Sequence, residues 1–319
     1  MNMYGTPEMQ KQNGISVSCG TIYSKLYDQL WYSSLEHSIA VSLIIWNFTK
    51  DKKQSLAGLF HDIATPVFKH CIDFMNKDYE KQESTEERTT KIIRESKEIM
   101  ALLKRDNIRL EEVSDYHIYP IADNDTPKLS ADRLEYTLSN GLGAIKKLWD
   151  LDDIRKVYKD IEIQKNEENI EELGFKNIEM AEKFVHTMGQ LSTLYTVGKT
   201  KYSMQFLADI MKKMSQNNLI TIDDLYNLTE KDIIEKIENC KLDDIDKKFK
   251  KWKEASSINE TDTKVEGKYV VSIEKLKIRY INPLVRNENG YVRIREISDN
   301  AKKDIEKALN YKTKKYIYL

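Results

Sequence analysis

The chain has almost no cysteine, no long apolar run and no excess charge of either sign, and each absence removes a class of protein. Its three cysteines, Cys19, Cys71 and Cys240, are widely separated and odd in number. Neither a disulfide framework nor a CxxC zinc cage fits them, so a reducing compartment is expected. No apolar stretch approaches the length of a bilayer span, and residues 1–18 hold neither a basic leader nor an apolar core. A cytoplasmic protein without a membrane partner is the expectation. Lys plus Arg (51) nearly cancels Asp plus Glu (52), so the summed charge offers no long-range pull on nucleic acid or anionic lipid. Lysine-rich stretches at 247–253 and 312–315 read as solvated faces.

What is present suits a folded, mainly α protein. Hydrophobic residues make up 40% and charged residues 32% of 319 positions, enough for one large helical domain and a smaller appendage. Ser33 and Glu36 form a capping-box pattern that opens a helix carrying His37. Ile39, Ala40, Leu43, Ile44 and Trp46 cover much of its circumference, which predicts burial on most sides. A second apolar helix over 54–63 ends near Pro66, just past a His61-Asp62 doublet. An amphipathic helix is expected over 86–104, and another capped by Ser130 places Asp132 in its first turn. Helices are also expected at 151–163, 178–193, 202–214, 222–226, 230–238 and 299–309. A charged connector is expected at 243–263. Strands are expected at 269–273, 276–281, 291–294 and 315–319, with a turn at 287–290 that makes a short β-hairpin. The resulting division is a helical metal-binding domain over 1–216 and an α+β region over 217–319.

Only five histidines exist, and His37 and His61 fall on consecutive apolar helices beside acidic residues. Two imidazoles and two carboxylates suit one divalent ion with open water positions; Mn2+, Fe2+ or Co2+ fit such a set, and Mg2+ is compatible. Adjacent helical residues point about 100° apart, so His61 and Asp62 converge on one ion only where their helix ends. Asp132 would close the shell from a distant helix.

This pattern, His37, then His61-Asp62, then Asp132, resembles the HD superfamily of metal-dependent phosphohydrolases, and most closely its deoxynucleoside triphosphate triphosphohydrolase-like branch. The likeness lies in Leu35-Glu36-His37-Ser38-Ile39, in Gly58-Leu59-Phe60-His61-Asp62-Ile63 running on to Phe68-Lys69-His70, and in Asp132-Arg133-Leu134-Glu135-Tyr136, and extends weakly through 218–237 and 280–285. It implies an HD-domain helical bundle with His37, His61, Asp62 and Asp132 as ligands of one divalent ion. It also implies that Tyr136 contacts substrate phosphate or sugar, with Arg133 and Thr65 as further substrate-binding candidates. Three departures stand out. Ser34 replaces an arginine usual three places before the first histidine, and Thr65 replaces a catalytic histidine after the doublet. A second such histidine is replaced near Thr85.

The expected activity is metal-dependent hydrolysis of a nucleotide or similar small phosphorylated metabolite. Leaving-group protonation falls to Glu86, His70 or His117, since threonine cannot serve near neutral pH. His70 is also readable as a polar core residue, His117 as a surface residue, and His186 as structural. The alternative is a catalytically weakened module that keeps the fold and binds metal or nucleotide for regulation or assembly. Homo-oligomers are common among proteins of this type.

Overall fold

A computed structural model describes residues 2–80, 88–288 and 290–319. The chain is mainly α with a small α+β part. A short helix α1 (Pro7–Lys11) precedes an irregular stretch, and α2 (Ser34–Thr49) opens with the capping box: Glu36 N–H donates to Ser33 Oγ, and Glu36 Oε2 accepts from Ser33 N–H. Asp51 caps α3 (Lys52–Phe60). After the short α4 (Cys71–Met75) come α5 (Arg88–Glu95) and α6 (Lys97–Arg105), then α7 (Ala131–Ser139) and α8 (Leu151–Asp160). Strands β1 (Ile161–Lys165) and β2 (Glu171–Phe175) lead into the long pair α9 (Ile178–Thr196) and α10 (Gly198–Gln216). The remainder runs α11 (Ile222–Asn227), α12 (Glu230–Glu238), α13 (Asp243–Glu254), β3 (Asn259–Thr261), β4 (Val270–Val271), β5 (Leu284–Asn287), β6 (Gly290–Arg293), α14 (Ile294–Ile297), α15 (Asp299–Asn310) and β7 (Tyr316–Tyr318).

Two small sheets tie distant segments together. One has the order β1-β2-β5-β6, with β2 and β5 parallel and the other pairs antiparallel; the other is antiparallel with the order β3-β7-β4. Residues on both sides of position 216 share one apolar cluster, in which Phe68, Ile72 and Phe206 meet Phe249, Trp252 and Ile317. A second cluster joins Val41 and Leu134 to Phe175, Phe184 and Ile305, and a third packs Leu35 and Phe60 against Ile93 and Leu103. The candidate site lies where α2, the end of α3 and the start of α7 meet.

Several expectations need correction. Helix α2 is buried on one side only: Leu43 is 62% and Trp46 45% exposed. The helix expected over 86–104 is two helices, because Ser96 turns extended and caps α6 by accepting from Ile99 N–H. The expected connector at 243–263 begins with α13, whose Ile245, Phe249 and Trp252 fall on one face and are buried. Residues 161–163 leave the helix and start β1, and β2 was not anticipated. No strand forms at 276–281; that stretch walls a cavity, and the hairpin partner of β6 is β5.

Candidate metal centre

Helices α2 and α3 pack closely enough to face their histidines because position 58 has no side chain: a Cβ on Gly58 would lie 2.3 Å from Ile45 Cδ1. His37 sits one turn into α2, and His61 is the C-terminal cap of α3. Asp132 is in the first turn of α7, where Ser130 Oγ accepts from Arg133 N–H at 3.2 Å. Among the described residues these three form a group with metal-ligating geometry. His37 Nε2 lies 3.2 Å from His61 Nε2 and 3.1 Å from Asp132 Oδ1, and His61 Nε2 lies 3.6 Å from that same oxygen.

The donor set fits a cation. His61 Nδ1 donates to the Gly58 carbonyl at 2.7 Å, and His37 Nδ1 donates to the buried carboxylate of Glu135. Both Nε2 atoms therefore turn inward at each other beside a carboxylate oxygen, a place for a positive charge that a proton or a metal ion can supply.

Electrostatics point the same way. Burial opposes charging His37, but Glu135 and Asp132 override it and push the imidazole up to about 10. His61 is likewise raised, by Asp62 and Asp132 against burial. Burial would raise Asp132, yet the two imidazoles hold it well below the usual carboxylate range.

Asp62, expected as the fourth ligand, stands slightly apart. Its Oδ2 accepts from Lys69 Nζ at 2.7 Å, and its oxygens lie 3.9 Å from His37 Nε2 and from His61 Nε2. Lys69 reaches it from a backbone in which Phe68 (φ 59°) and Lys69 (φ 43°) are both left-handed, a costly conformation for residues with side chains.

These groups line a cavity of about 1270 Å3 whose wall also includes the expected substrate-side residues. Tyr136 lines it, with its phenol pushed up to about 12 by burial. Arg133 also lines it, held by Asn124 Oδ1 at 2.7 Å and Asp123 Oδ1 at 3.2 Å. Thr65 is buried, and its carbonyl accepts from Lys11 Nζ at 2.7 Å. His70 is a cavity residue, and its bonds go to side chains: Nδ1 to Asp73 Oδ2 at 2.9 Å, and Nε2 toward Arg279 Nη2 at 3.3 Å. Burial and Arg279 lower it despite Asp73. His117, 48% exposed, bonds Asp115 Oδ1 at 3.0 Å while the neighbouring Tyr116 ring packs on His61. Glu86 and Thr85 lie outside the described residues. His186 pairs with Asp304 between α9 and α15.

Sequence reasoning missed Glu135, Lys69, Asp73 and Arg279. Glu135 was legible, since three residues after Asp132 on a helix is the same face. Arg279 carried no signal, being separated from His70 by 209 positions.

No family model matches the chain. It is 24% identical over 307 residues to the uncharacterised protein YdhJ of Bacillus subtilis, covering 93% of this chain and 87% of that one. Its fold is shared with a phosphohydrolase from Bacteroides thetaiotaomicron (TM-score 0.63, 15% identity, 98% of this chain and 93% of that one). It is shared as well with a hypothetical protein from Aquifex aeolicus (TM-score 0.62, 15% identity, 99% and 90%). Among the described residues no helix is long and apolar enough to cross a membrane.

Proposed function

We propose that the chain is an HD-type, metal-dependent phosphohydrolase acting on a nucleotide or a similar small phosphorylated metabolite. The observation that carries this reading is the convergence of His37 Nε2, His61 Nε2 and Asp132 Oδ1 on the wall of a cavity that also presents Lys69, Arg133 and Arg279. Acidic and basic side chains both line it, and a cation centre with these donors beside it suits a phosphorylated substrate. The shared fold with a phosphohydrolase agrees with it.

His37, His61 and Asp132 would hold the ion, with Asp62 joining them by a short movement away from Lys69. A divalent ion there supplies Lewis acidity, acidifying water and offsetting charge on a phosphoryl oxygen. The protein's own groups do the rest. Lys69 and Arg279 bind phosphate oxygens, and Tyr136 packs against the substrate. Asp73, only 1% exposed, fixes His70 with Nδ1–H donated, so Nε2, once Arg279 turns from it to the phosphate, is the atom that takes a proton from the attacking water and returns it to the leaving oxygen. Glu86 and His117 remain further candidates for that transfer.

Two features favour the second reading, a binding module without turnover: Lys69 already neutralises Asp62, and Thr65 stands where a catalytic histidine is usual. Incubation of the Mn2+-loaded protein with a panel of nucleotides, with phosphate release as the readout, separates the two. Hydrolysis that disappears in His61→Ala supports the enzyme. Nucleotide binding without release supports the module, and release unaffected by His61→Ala overturns the metal assignment.

A further inference from the structure

We infer that Glu135 and Tyr32 are positioning residues that set the ion affinity of the centre through His37. This rests on the metal-centre reading given above. Glu135 is 4% exposed, and its two oxygens have separate tasks. Oε2 takes the Nδ1 proton of His37, and Oε1 accepts from Tyr32 Oη at 2.7 Å. Ser139 Oγ adds a longer contact of 3.4 Å to Oε2.

A carboxylate on Nδ1 fixes which imidazole nitrogen keeps its proton. It leaves the Nε2 lone pair aimed at His61 and Asp132, and it raises the basicity of that nitrogen. Glu135 can do this because it shares a helix face with Asp132, so one turn of α7 supplies both a ligand and the group that orients the opposite ligand. Tyr32 belongs to none of the three ligand-bearing helices. It comes from the stretch before α2, whose Tyr27, Asp28 and Gln29 line the cavity. Its hydroxyl stops the Glu135 side chain from swinging away from His37. His61 has a different arrangement, because its Nδ1 is held by the Gly58 carbonyl of its own helix turn. The centre therefore has one self-oriented imidazole and one whose orientation depends on a side chain 98 positions away, itself held by a residue 103 positions from it.

The test is calorimetric titration of the full metal-free chain with Mn2+ and Co2+, comparing the unaltered protein with Glu135→Gln and Tyr32→Phe, and melting each metal-free protein in parallel. Glu135→Gln is expected to weaken ion binding by about 10- to 100-fold, beyond what its loss of metal-free stability accounts for, and Tyr32→Phe by a smaller factor with little change in metal-free melting. The Co2+ absorption spectrum of Glu135→Gln should also shift as His37 reorients. Unchanged ion affinity in both variants overturns the inference while leaving the metal centre intact. So does a loss of affinity that only tracks a loss of metal-free stability. Failure of the unaltered chain to bind either ion overturns this inference and the metal centre together.

Discussion

Asp62 and Lys69 form an ion pair, 2.7 Å between Oδ2 and Nζ, within 4 Å of the imidazole nitrogens that face the candidate ion. The ammonium occupies the carboxylate that a divalent ion would use, and it adds a positive charge beside the ion's own position. Lys69→Met is therefore expected to tighten Mn2+ binding by several-fold, measured by calorimetry, while weakening the binding of phosphorylated substrate. Ion binding no tighter than in the unaltered protein would show that Asp62 reaches the ion without competition.

Ion binding should depend steeply on pH. Without an ion, Glu135 and Asp132 hold a proton on His37 up to about 10 in spite of burial, and that proton must leave before Nε2 can ligate. Affinity is expected to rise by about tenfold per pH unit across pH 6 to 9, with proton release visible in buffers of different ionisation enthalpy. The same raised value has the opposite effect on the metal-free fold. Its stabilisation is complete below the ordinary value of 6.5 and is lost as pH climbs toward 10.

Glu230 gives a second pH dependence, away from the ligands. It is fully buried at the start of α12, accepts from Ser16 N–H at 3.1 Å, and is pushed up to about 8 from 4.5, chiefly by burial. Between those values the folded chain retains a proton that the unfolded chain has lost, so stability falls as pH rises through the window. Lys11, pushed down to about 7 by burial, acts in the other direction above that pH. Glu230→Gln should flatten the fall between about pH 5 and 6.5 in a series of thermal melts, below the range in which His37 contributes. A melting profile that keeps the fall would remove Glu230 as its source.

Arg293 clamps Glu172, which has no exposed surface, with Nη1–Oε1 at 2.6 Å and Nη2–Oε2 at 2.9 Å; Glu172 Oε1 also accepts from Leu129 N–H just before the Ser130 cap. Without Arg293 the buried charge keeps only the neutral donors Leu129 N–H and Asn166 Nδ2. Arg293→Met is expected to cost about 3–5 kcal/mol in urea unfolding, because it strands that carboxylate. It should also weaken ion binding by loosening the start of α7. A loss under about 1 kcal/mol would mean that water reaches Glu172.

Much of this was readable from local pattern. The Ser33–Glu36 box, the Ser130 cap and the apolar faces of α9 and α10 act within a few residues, and the helices they imply are present. The convergence of His37, His61 and Asp132 was readable because each sits at a helix start or end. The misreadings came from tertiary effects. Residues 276–281 have strand composition but join neither sheet, since β6, their expected hairpin partner, pairs with β5 and Lys277 N–H bonds the Tyr79 carbonyl instead. Charged spacing hid α13, whose few apolar residues form one stripe against Phe206 and its neighbours. The links from Lys69 to Asp62 and from Arg279 to His70 depend on left-handed turns and on chain ends meeting, which no periodicity encodes.

The first thirty-three residues supply no ligand, yet they are stitched across the molecule. Gln12 Nε2 reaches the Ile63 carbonyl, Ser24 Oγ the Trp252 carbonyl, Leu30 N–H the Gly143 carbonyl and Tyr32 the Glu135 carboxylate. In the order of synthesis this strap precedes what it binds: Gln12 can reach Ile63 after about fifty residues, Tyr32 waits about a hundred for Glu135, and Ser24 waits more than two hundred for Trp252. The turn that carries His61 and Asp62 thus has its brace long before His37 gains the carboxylate that orients it.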